Sequence, residues 1–221
     1  MNEPSLTIEN YLKTIYQICA RDVGSSAATG KLASALNVSP GTVTSMLKTL
    51  NEGGLANYTP YEGVQLTDSG RSVALRVIRR HRLIELFLVR TLRLSWDEVH
   101  EEAENMEHAV SDFLVNRIDE YLGFPETDPH GDPIPKEDGS VAAIQTTCLA
   151  DWQVGSSFRL VRVLDQSPQF LRYLSESGMS LDIVGEVVSR TVEAGIVKVT
   201  IGEDAITLAQ AAAAKLVVTS P

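Results

Sequence analysis

The chain has 221 residues, of which 43% are hydrophobic, and its formal net charge at pH 7 is −10. No run approaches the roughly 18 apolar residues of a membrane-spanning helix, which excludes an integral membrane protein and gives no reason to expect a membrane partner. The N-terminal residues 1–4 form no apolar secretion signal, and two cysteines do not make a disulfide framework. We therefore expect a cytoplasmic protein.

Charge is distributed unevenly along the chain. Residues 1–80 contain 8 Lys and Arg against 6 Asp and Glu, whereas residues 81–221 contain 11 against 23, so the balances are +2 and −12. The overall negative charge argues against nucleic-acid binding, but the N-terminal part does not share it. Cations bound by the acidic part could make the protein a competent DNA binder, because phosphate attraction dominates affinity.

The first 51 residues predict three helices. Apolar residues at helical spacing predict an amphipathic helix over residues 5–20. A short helix that ends near Asn37 follows. Ser39 then suits an N-cap, with Pro40 at the first helical position of a helix that continues to about Asn51.

A two-stranded ribbon is predicted next, over residues 55–60 and 64–67. Helix, turn, helix and ribbon is the order of a winged helix-turn-helix domain, whose partner is double-stranded operator DNA. The third helix would be the recognition helix, because a helix N-terminus attracts phosphate and small hydroxyl side chains permit close approach. The alternative is an ordinary helical hairpin with capped ends. The candidate DNA-binding residues are Ser39, Pro40, Thr42, Thr44, Ser45 and Lys48.

The rest of the chain predicts two long helices, a linker and a β domain. One helix runs from Thr67 or Asp68 to about Leu92, and the other from Trp96 to about Leu122. Pro and Gly accumulate over residues 124–139, which predicts a linker. From about Cys148, short β-rich runs surround one helix, a pattern that favours a small SH3-like β-barrel. The fold class is mainly α with a small β domain.

Metal-ligand residue types recur at helical spacing on the two long helices. His81 and Glu85 are four residues apart and share one helix face. An ideal helix would place four further residues within an arc of roughly 100°: His100, Glu104, Glu107 and His108. Two such helices could build one or two divalent-metal sites, although Glu-rich faces are usually only solvated. His130 is expected to be a bystander in the linker.

Six segments together resemble the diphtheria-toxin-repressor family of metal-dependent transcriptional repressors, which control iron or manganese uptake. The resemblance covers nearly the whole chain and is strongest over residues 7–136. It implies a homodimeric repressor, not an enzyme, with no small-molecule substrate. The segments are Leu12-Lys13-Thr14-Ile15-Tyr16, Ser39-Pro40-Gly41-Thr42-Val43, Leu66-Thr67-Asp68-Ser69-Gly70, His81-Arg82-Leu83, Glu107-His108 and Gly131-Asp132-Pro133-Ile134-Pro135.

The resemblance implies two ions of Mn(II) or Fe(II) per chain. One site would use His81, Glu85 and His100, and the β domain would add Gln166 and Gln169. Iron-type members have a carboxylate where this chain has Gln166.

The second implied site would use Glu104, Glu107 and His108, with Asn10 from the first helix. Iron-type members have Cys at the position of Glu104, and manganese-type members have Glu, so this chain is closer to the manganese type. A carboxylate is also a harder ligand than a thiolate, which suits manganese. Asn10 offers a neutral amide oxygen where manganese-type members have Asp, and Lys13 stands where they can carry a second carboxylate.

The implied domains are residues 1–72 (winged helix-turn-helix), 73–136 (helical metal-binding and dimerisation domain), 137–147 (linker) and 148–221 (β-barrel). Packing and dimer surface would come from apolar positions of the second long helix, namely Val99, Ala103, Val110, Phe113, Leu114 and Ile118.

Two other classes of protein stay open as interpretations. Carboxylate and histidine pairs on helices also build dinuclear metalloenzymes, although the sequence offers no separate nucleophile or substrate pocket. A winged-helix regulator that responds to an organic ligand is the other.

Overall fold

The computed structural model describes residues 5–21, 26–143 and 147–221. The chain divides into two compact units, one of Met1–His81 with Pro135–Ser140 and one of Arg82–Ile134 with Val141–Pro221. Among the helices of the described residues, none has the length and apolar character required to cross a membrane.

The first unit has the predicted order of three helices, a ribbon and the start of a long helix. The ribbon is antiparallel, with Ala56 opposite Leu66 and Thr59 opposite Gly63. The elements are α1 (Leu6–Arg21), α2 (Thr29–Leu36), α3 (Pro40–Glu52), β1 (Ala56–Thr59), β2 (Gly63–Leu66) and α4 (Asp68–Phe87), which the second unit continues beyond His81.

Local signals in the sequence explain where α3 begins and which side it buries. Ser39 has extended backbone and its Oγ accepts a hydrogen bond of 3.1 Å from the Thr42 N–H, while Pro40 occupies the first turn. The helix buries Val43 and Leu47 at helical spacing. This burial leaves the opposite side of α3 facing solvent.

Gly70 permits a close approach at the start of α4. A Cβ atom on Gly70 would lie 1.9 Å from the Leu55 carbonyl oxygen, so no larger residue fits without a backbone shift. The Thr67 Oγ1 donates a hydrogen bond of 2.8 Å to the Gly54 carbonyl, which joins the same two segments. The beginning of α4 is thereby held against the turn that follows α3.

The second unit contains a helical part and a five-stranded antiparallel sheet with strand order β6-β5-β4-β3-β7. The sheet encloses a core of apolar residues that includes Phe158, Leu160 and Leu171. After a π-helical turn at Leu88–Leu92, the elements are α5 (Val99–Met106), α6 (Asp112–Leu122), a short 3-10 helix at Leu149–Asp151, β3 (Ser157–Val163), α7 (Pro168–Glu176), β4 (Val184–Thr191), β5 (Ile196–Ile201), β6 (Asp204–Ala209), α8 (Gln210–Ala213) and β7 (Leu216–Thr219).

The predicted single helix from Trp96 to about Leu122 is wrong. The chain forms α5 and α6 instead, and Ser111 between them has extended backbone. Its Oγ accepts a hydrogen bond of 3.3 Å from the Leu114 N–H, so Ser111 starts a new helix as an N-cap. Apolar spacing continued across the break and concealed this signal.

The Pro- and Gly-rich stretch is a linker only in part. Over residues 124–134 it packs against the sheet, where the His130 carbonyl accepts a hydrogen bond of 2.9 Å from the Val163 N–H. Gly131 has φ of +85°, and a Cβ there would lie 2.0 Å from the Val161 carbonyl oxygen. The predicted linker at 137–147 stays a prediction, because residues 144–146 lie outside the described residues.

Candidate metal centre and DNA-binding surface

The predicted DNA-binding residues line the solvent-facing side of α3. All are exposed except Thr44, which is half-buried. Several hydroxyls also serve the helix itself, since Ser39 and Thr42 are hydrogen-bonded at 2.9 Å and Thr44 Oγ1 donates to the Pro40 carbonyl at 2.9 Å. Thr44 and Lys48 border a cleft of about 530 Å³ that the ribbon closes on its other side.

Sequence reasoning missed Tyr61, which is fully exposed at the tip of the ribbon and also borders this cleft. Its φ of 69° is unusual for a residue other than glycine. The available signal was an aromatic residue in the predicted wing turn, where a planar side chain can contact a nucleic-acid backbone or groove.

In the first unit, the candidate ligand His81 contacts a buried ammonium group. His81 Nδ1 lies 3.3 Å from Lys13 Nζ, and both residues are buried. An ammonium can only donate, so Nδ1 accepts. Asn10 lies half-buried on α1, beside Glu9, which pairs with Arg80 at 3.5 Å. Lys13 therefore places a positive charge beside the lone pair of His81 Nδ1.

In the second unit, Glu85 and α5 bring three predicted ligands together. Glu85 is only 1% exposed, and its Oε1 lies 3.2 Å from His100 Nδ1. The other ring nitrogen of His100 lies 3.9 Å from Glu104 Oε1. His100 and Glu104 are half-exposed, so this group opens to solvent on one side.

Glu107 and His108 lie in the turn that ends α5. Glu107 is completely buried, and its Oε1 lies 3.2 Å from His108 Nε2. A buried carboxylate requires a positive partner or hydrogen bonds to offset its lost hydration. This pair is suited to hold a cation between a carboxylate oxygen and an imidazole nitrogen.

The two glutamines predicted as ligands differ in placement. Gln166 is half-buried, and its Nε2 donates a hydrogen bond of 2.8 Å to Asp132 Oδ2. Gln169 is exposed on α7. Their role as metal ligands stays a prediction.

His130, expected to be a bystander in the linker, lies in a buried group of possible metal ligands, and its role as a ligand stays a prediction. His130 is completely buried, and its Nδ1 lies 3.7 Å from Glu85 Oε2 and 3.9 Å from Asp128 Oδ1. One ligand atom from each of these three residues lies within 4.8 Å of the other two. The sequence signal for this cluster is a histidine between two aspartates, which lies within the stretch predicted to be a linker: Asp128-Pro129-His130-Gly131-Asp132.

The electrostatics of this cluster favour a bound positive charge. Burial, followed by the nearby Asp132 and Glu85 carboxylates, raises the pKa of Asp128 to about 7. Burial opposes the charged form of His130, but Glu85 and Asp128 outweigh it and raise the pKa of His130 above its ordinary value. Arg82 lies 3.5 Å from Asp128 Oδ2 and acts in the opposite direction, lowering the pKa of Asp128, but burial and the neighbouring carboxylates outweigh it.

The donor set fits a divalent first-row metal. Carboxylate oxygens and imidazole nitrogens are available, and the candidate ligands contain no thiolate, which suits Mn(II) or Fe(II) better than soft metals. His130 Nδ1 is buried and has no hydrogen-bond partner among the described residues. A buried ring nitrogen between two carboxylates suits coordination to a divalent cation.

Three family models match consecutive parts of the chain. The iron dependent repressor N-terminal DNA binding domain matches residues 5–64, the iron dependent repressor metal binding and dimerisation domain matches residues 67–136, and the FeoA domain matches residues 147–220.

Relatives and solved structures agree with these matches. The iron-dependent repressor IdeR of Mycobacterium tuberculosis is 37% identical over 135 residues, which is 61% of this chain and 58% of that protein. The diphtheria toxin repressor of Corynebacterium diphtheriae is 33% identical over 150 residues, 66% of each chain. The mycobacterial match therefore spans less than two thirds of that relative's length.

Structural similarity extends over the whole chain. A manganese-dependent transcriptional repressor in complex with manganese has a TM-score of 0.88 and 42% identity, and the match covers 97% of this chain and 100% of that one. The manganese regulator SloR has a TM-score of 0.78 and 30% identity, covering 97% and 98%. These relatives favour the repressor interpretation over the metalloenzyme. The chain belongs to the family of iron- and manganese-dependent transcriptional repressors.

Proposed function

We propose that this chain is a homodimeric repressor that binds operator DNA when Mn(II) or Fe(II) is bound, and that controls metal-ion homeostasis. The observation that carries the proposal is the buried convergence of Glu85, Asp128 and His130. Two carboxylates and one imidazole whose ligand atoms lie within 4.8 Å of one another offer a donor set for a divalent cation. The exposed face of α3 supplies the DNA-binding surface.

Two ion sites per chain are proposed, as the family resemblance implies. Glu85 and His100, with His81 four residues before Glu85 on α4, form the first set, and Asp128 and His130 are added to it because both face Glu85. Gln166 and Gln169 complete the list predicted for that set. The second set is Glu104, Glu107, His108 and Asn10.

The chain's own residues determine what a bound cation would change. Glu85 and Glu107 are carboxylates held away from water, and each lies within 4 Å of at least one histidine ring nitrogen, where a cation could be shared between them. When bound, the metal supplies the positive charge that offsets them. Since α4 is one continuous helix from Asp68 to Phe87, the helix that carries His81 and Glu85 also begins against Leu55, next to the ribbon.

Manganese is favoured over softer metals. Glu104 provides a hard carboxylate oxygen, and the solved structure with 42% identity is named as a manganese-dependent repressor with manganese. In the second set, Asn10 provides a neutral oxygen where manganese-type members have Asp, and Lys13 stands where they can carry a second carboxylate. We therefore expect the second set to bind the more weakly held ion.

The homodimer is proposed to form through the exposed apolar side of α6. Phe113 and Leu114 are exposed, at 76% and 49%, and Tyr121 on the same helix is 69% exposed. Of the apolar positions predicted for this role, Val99, Ala103 and Ile118 are buried inside the unit and serve packing instead. A dimer would present two recognition helices to two half-sites of an operator.

The test is DNA binding measured by fluorescence anisotropy, with DNA selected from a random pool in the presence of Mn(II). We expect tight binding with Mn(II) and at least tenfold weaker binding with a chelator, a difference of about 1.4 kcal/mol. Glu107→Gln removes a buried ligand and should abolish the response. Glu101→Gln alters an exposed carboxylate on the same helix and should preserve it. Equal affinity with and without metal would overturn the proposal.

A further inference from the structure

Trp96 lies where the buried His130 meets the β domain, and no metal-ligand role accounts for its contacts. The His130 Nε2 lies 2.8 Å from the Trp96 main-chain carbonyl oxygen. A carbonyl can only accept a hydrogen bond, so Nε2 carries the hydrogen. When the ring is neutral, as a metal ligand must be, its lone pair is on Nδ1, which faces Glu85 and Asp128.

The Trp96 carbonyl thus accepts from the ring nitrogen that would not bind the metal, as the hydrogen-bond partners of metal-binding histidines do. Such a partner fixes the tautomer and the orientation of the ring. The ring planes of Trp96 and His130 are nearly parallel, 15° apart, with their centroids separated by 6.3 Å. Both the main chain and the side chain of Trp96 therefore border the imidazole.

The other end of Trp96 is attached to the β domain. Its Nε1 donates a hydrogen bond of 2.9 Å to Ser175 Oγ on α7, and Ser175 Oγ in turn donates to the Leu171 carbonyl at 3.1 Å. The indole also packs against the apolar core of the sheet. The neighbouring Asp97 pairs with Arg172 of α7 at 3.1 Å, so two consecutive residues hold this helix.

Asp128 is positioned from the opposite side. Its Oδ1 accepts hydrogen bonds from the main-chain N–H groups of His130 at 2.8 Å and of Asp132 at 3.0 Å. The cluster is therefore oriented by main-chain groups and by Trp96 before any ion arrives. Asp128 is also held through its other oxygen, since Oδ2 pairs with Arg82 at 3.5 Å.

We propose that Trp96 is a positioning residue that couples cation binding at His130 to the placement of α7 in the β domain. A cation on Nδ1 withdraws electron density from the imidazole, so the Nε2–H donates a stronger hydrogen bond to the Trp96 carbonyl. The indole, the Ser175 hydroxyl and α7 are then held in one arrangement. By the same linkage, loosening Trp96 from α7 weakens cation binding at His130.

This inference rests on the proposed metal site, and the chain offers a direct optical measurement of it. The protein contains two tryptophans, so Trp152→Phe leaves Trp96 as the only indole. We expect titration of that variant with Mn(II) to quench or shift Trp96 fluorescence with the midpoint that calorimetry gives for the more tightly held ion. His130→Gln in the same background should remove the change.

Two substitutions test the link to α7. Ser175→Ala removes the hydroxyl that accepts from the indole, and Trp96→Phe removes the indole N–H while keeping an aromatic ring. Each should weaken Mn(II) binding about 3- to 10-fold, less than the 10- to 100-fold typical of a directly bonded outer partner. Ser177→Ala, just beyond the end of α7, is the matched control and should have no effect. Thermal melting verifies that each variant folds.

The outcomes separate this inference from the proposed function. If calorimetry detects no Mn(II) binding to the wild-type chain, both the metal site and the inference fail. If Mn(II) binds but the Trp96 signal is constant and Ser175→Ala binds Mn(II) as tightly as the wild type, the coupling is wrong and the repressor proposal stands.

Discussion

Gln166 Nε2 donates a hydrogen bond of 2.8 Å to Asp132 Oδ2, and the Asp132 carboxylate also pairs with Arg82 and Arg162. The family resemblance led us to expect a carboxylate at position 166. In this chain a glutamate there would place a second negative charge against Asp132. The amide N–H instead satisfies Asp132, which gives a physical reason for glutamine at this position.

Replacing Gln166 with Glu should therefore destabilise the metal-free protein. We expect a loss of about 1–3 kcal/mol in the free energy of unfolding, because a hydrogen-bond donor to a charged group is exchanged for a like charge. Urea unfolding at pH 7 measures this loss. Gln169→Glu is the control, since Gln169 is exposed and should change stability by less than about 0.5 kcal/mol. Equal midpoints for the two variants would contradict the assignment of Asp132 as the partner.

The start of α6 has an apolar surface that its own unit leaves uncovered. Phe113 is 76% exposed, whereas Val115 two residues later is buried. Replacing Phe113 with Lys should therefore disrupt the proposed dimer with little effect on folding. Light scattering coupled to size exclusion should give the mass of a monomer for this variant and twice that mass for the wild type.

The control for this experiment is Val192→Lys in the β domain. Val192 is 67% exposed and lies outside α6, so its variant should remain dimeric. If both variants are dimers, the exposed apolar side of α6 does not form the dimer interface.

Sequence patterns predicted the first unit well because its signals are local. Apolar spacing, the Ser39 cap and the short ribbon each operate within a few residues, and α1 to α3 begin and end close to the predicted positions. The next helix begins at Asp68 as predicted, but α4 ends at Phe87 and a π-helical turn occupies the rest of the predicted length to Leu92. The same signals predicted the exposed face of α3, which we propose for DNA binding. Ser111 shows the limit of this approach, because one N-cap outweighed apolar spacing that continued through it.

The buried part of the candidate site could not be predicted in this way. His130 is surrounded by Pro and Gly, a composition typical of exposed linkers, but its burial comes from contacts with β3 that are about 30 residues away in sequence. The strand β7 was missed for a related reason: it is four residues long and pairs with β3, more than 50 residues earlier. Such contacts are determined by packing and leave little trace in local spacing.

Gly70 and Gly30 should respond in opposite directions to alanine. Gly70→Ala would bring a Cβ to 1.9 Å from the Leu55 carbonyl oxygen, and the backbone shift required should cost about 1–3 kcal/mol or more. Gly30 lies in α2, and apart from the glycine, its chain neighbours and the backbone of its own helix, no described atom lies within 4 Å of a Cβ placed there. Gly30→Ala should therefore stabilise the protein by about 0.5–1 kcal/mol. Thermal unfolding measures both effects. A decrease in melting temperature for both variants would contradict the packing argument.

The two helix caps Ser39 and Ser111 allow stability to be separated from DNA binding. Each hydroxyl accepts a hydrogen bond from a main-chain N–H three residues later, at 3.1 Å for Ser39 and 3.3 Å for Ser111. Replacing either serine with alanine should lower the free energy of unfolding by about 1 kcal/mol. Only Ser39 lies at the N-terminus of the proposed recognition helix, where main-chain N–H groups and the hydroxyl can meet a phosphate. With saturating Mn(II), anisotropy should therefore show weaker DNA binding for Ser39→Ala and wild-type affinity for Ser111→Ala. If Ser111→Ala weakens DNA binding as much as Ser39→Ala does, the loss of affinity comes from lower stability of the folded protein. The assignment of α3 as the DNA-binding helix would then be wrong.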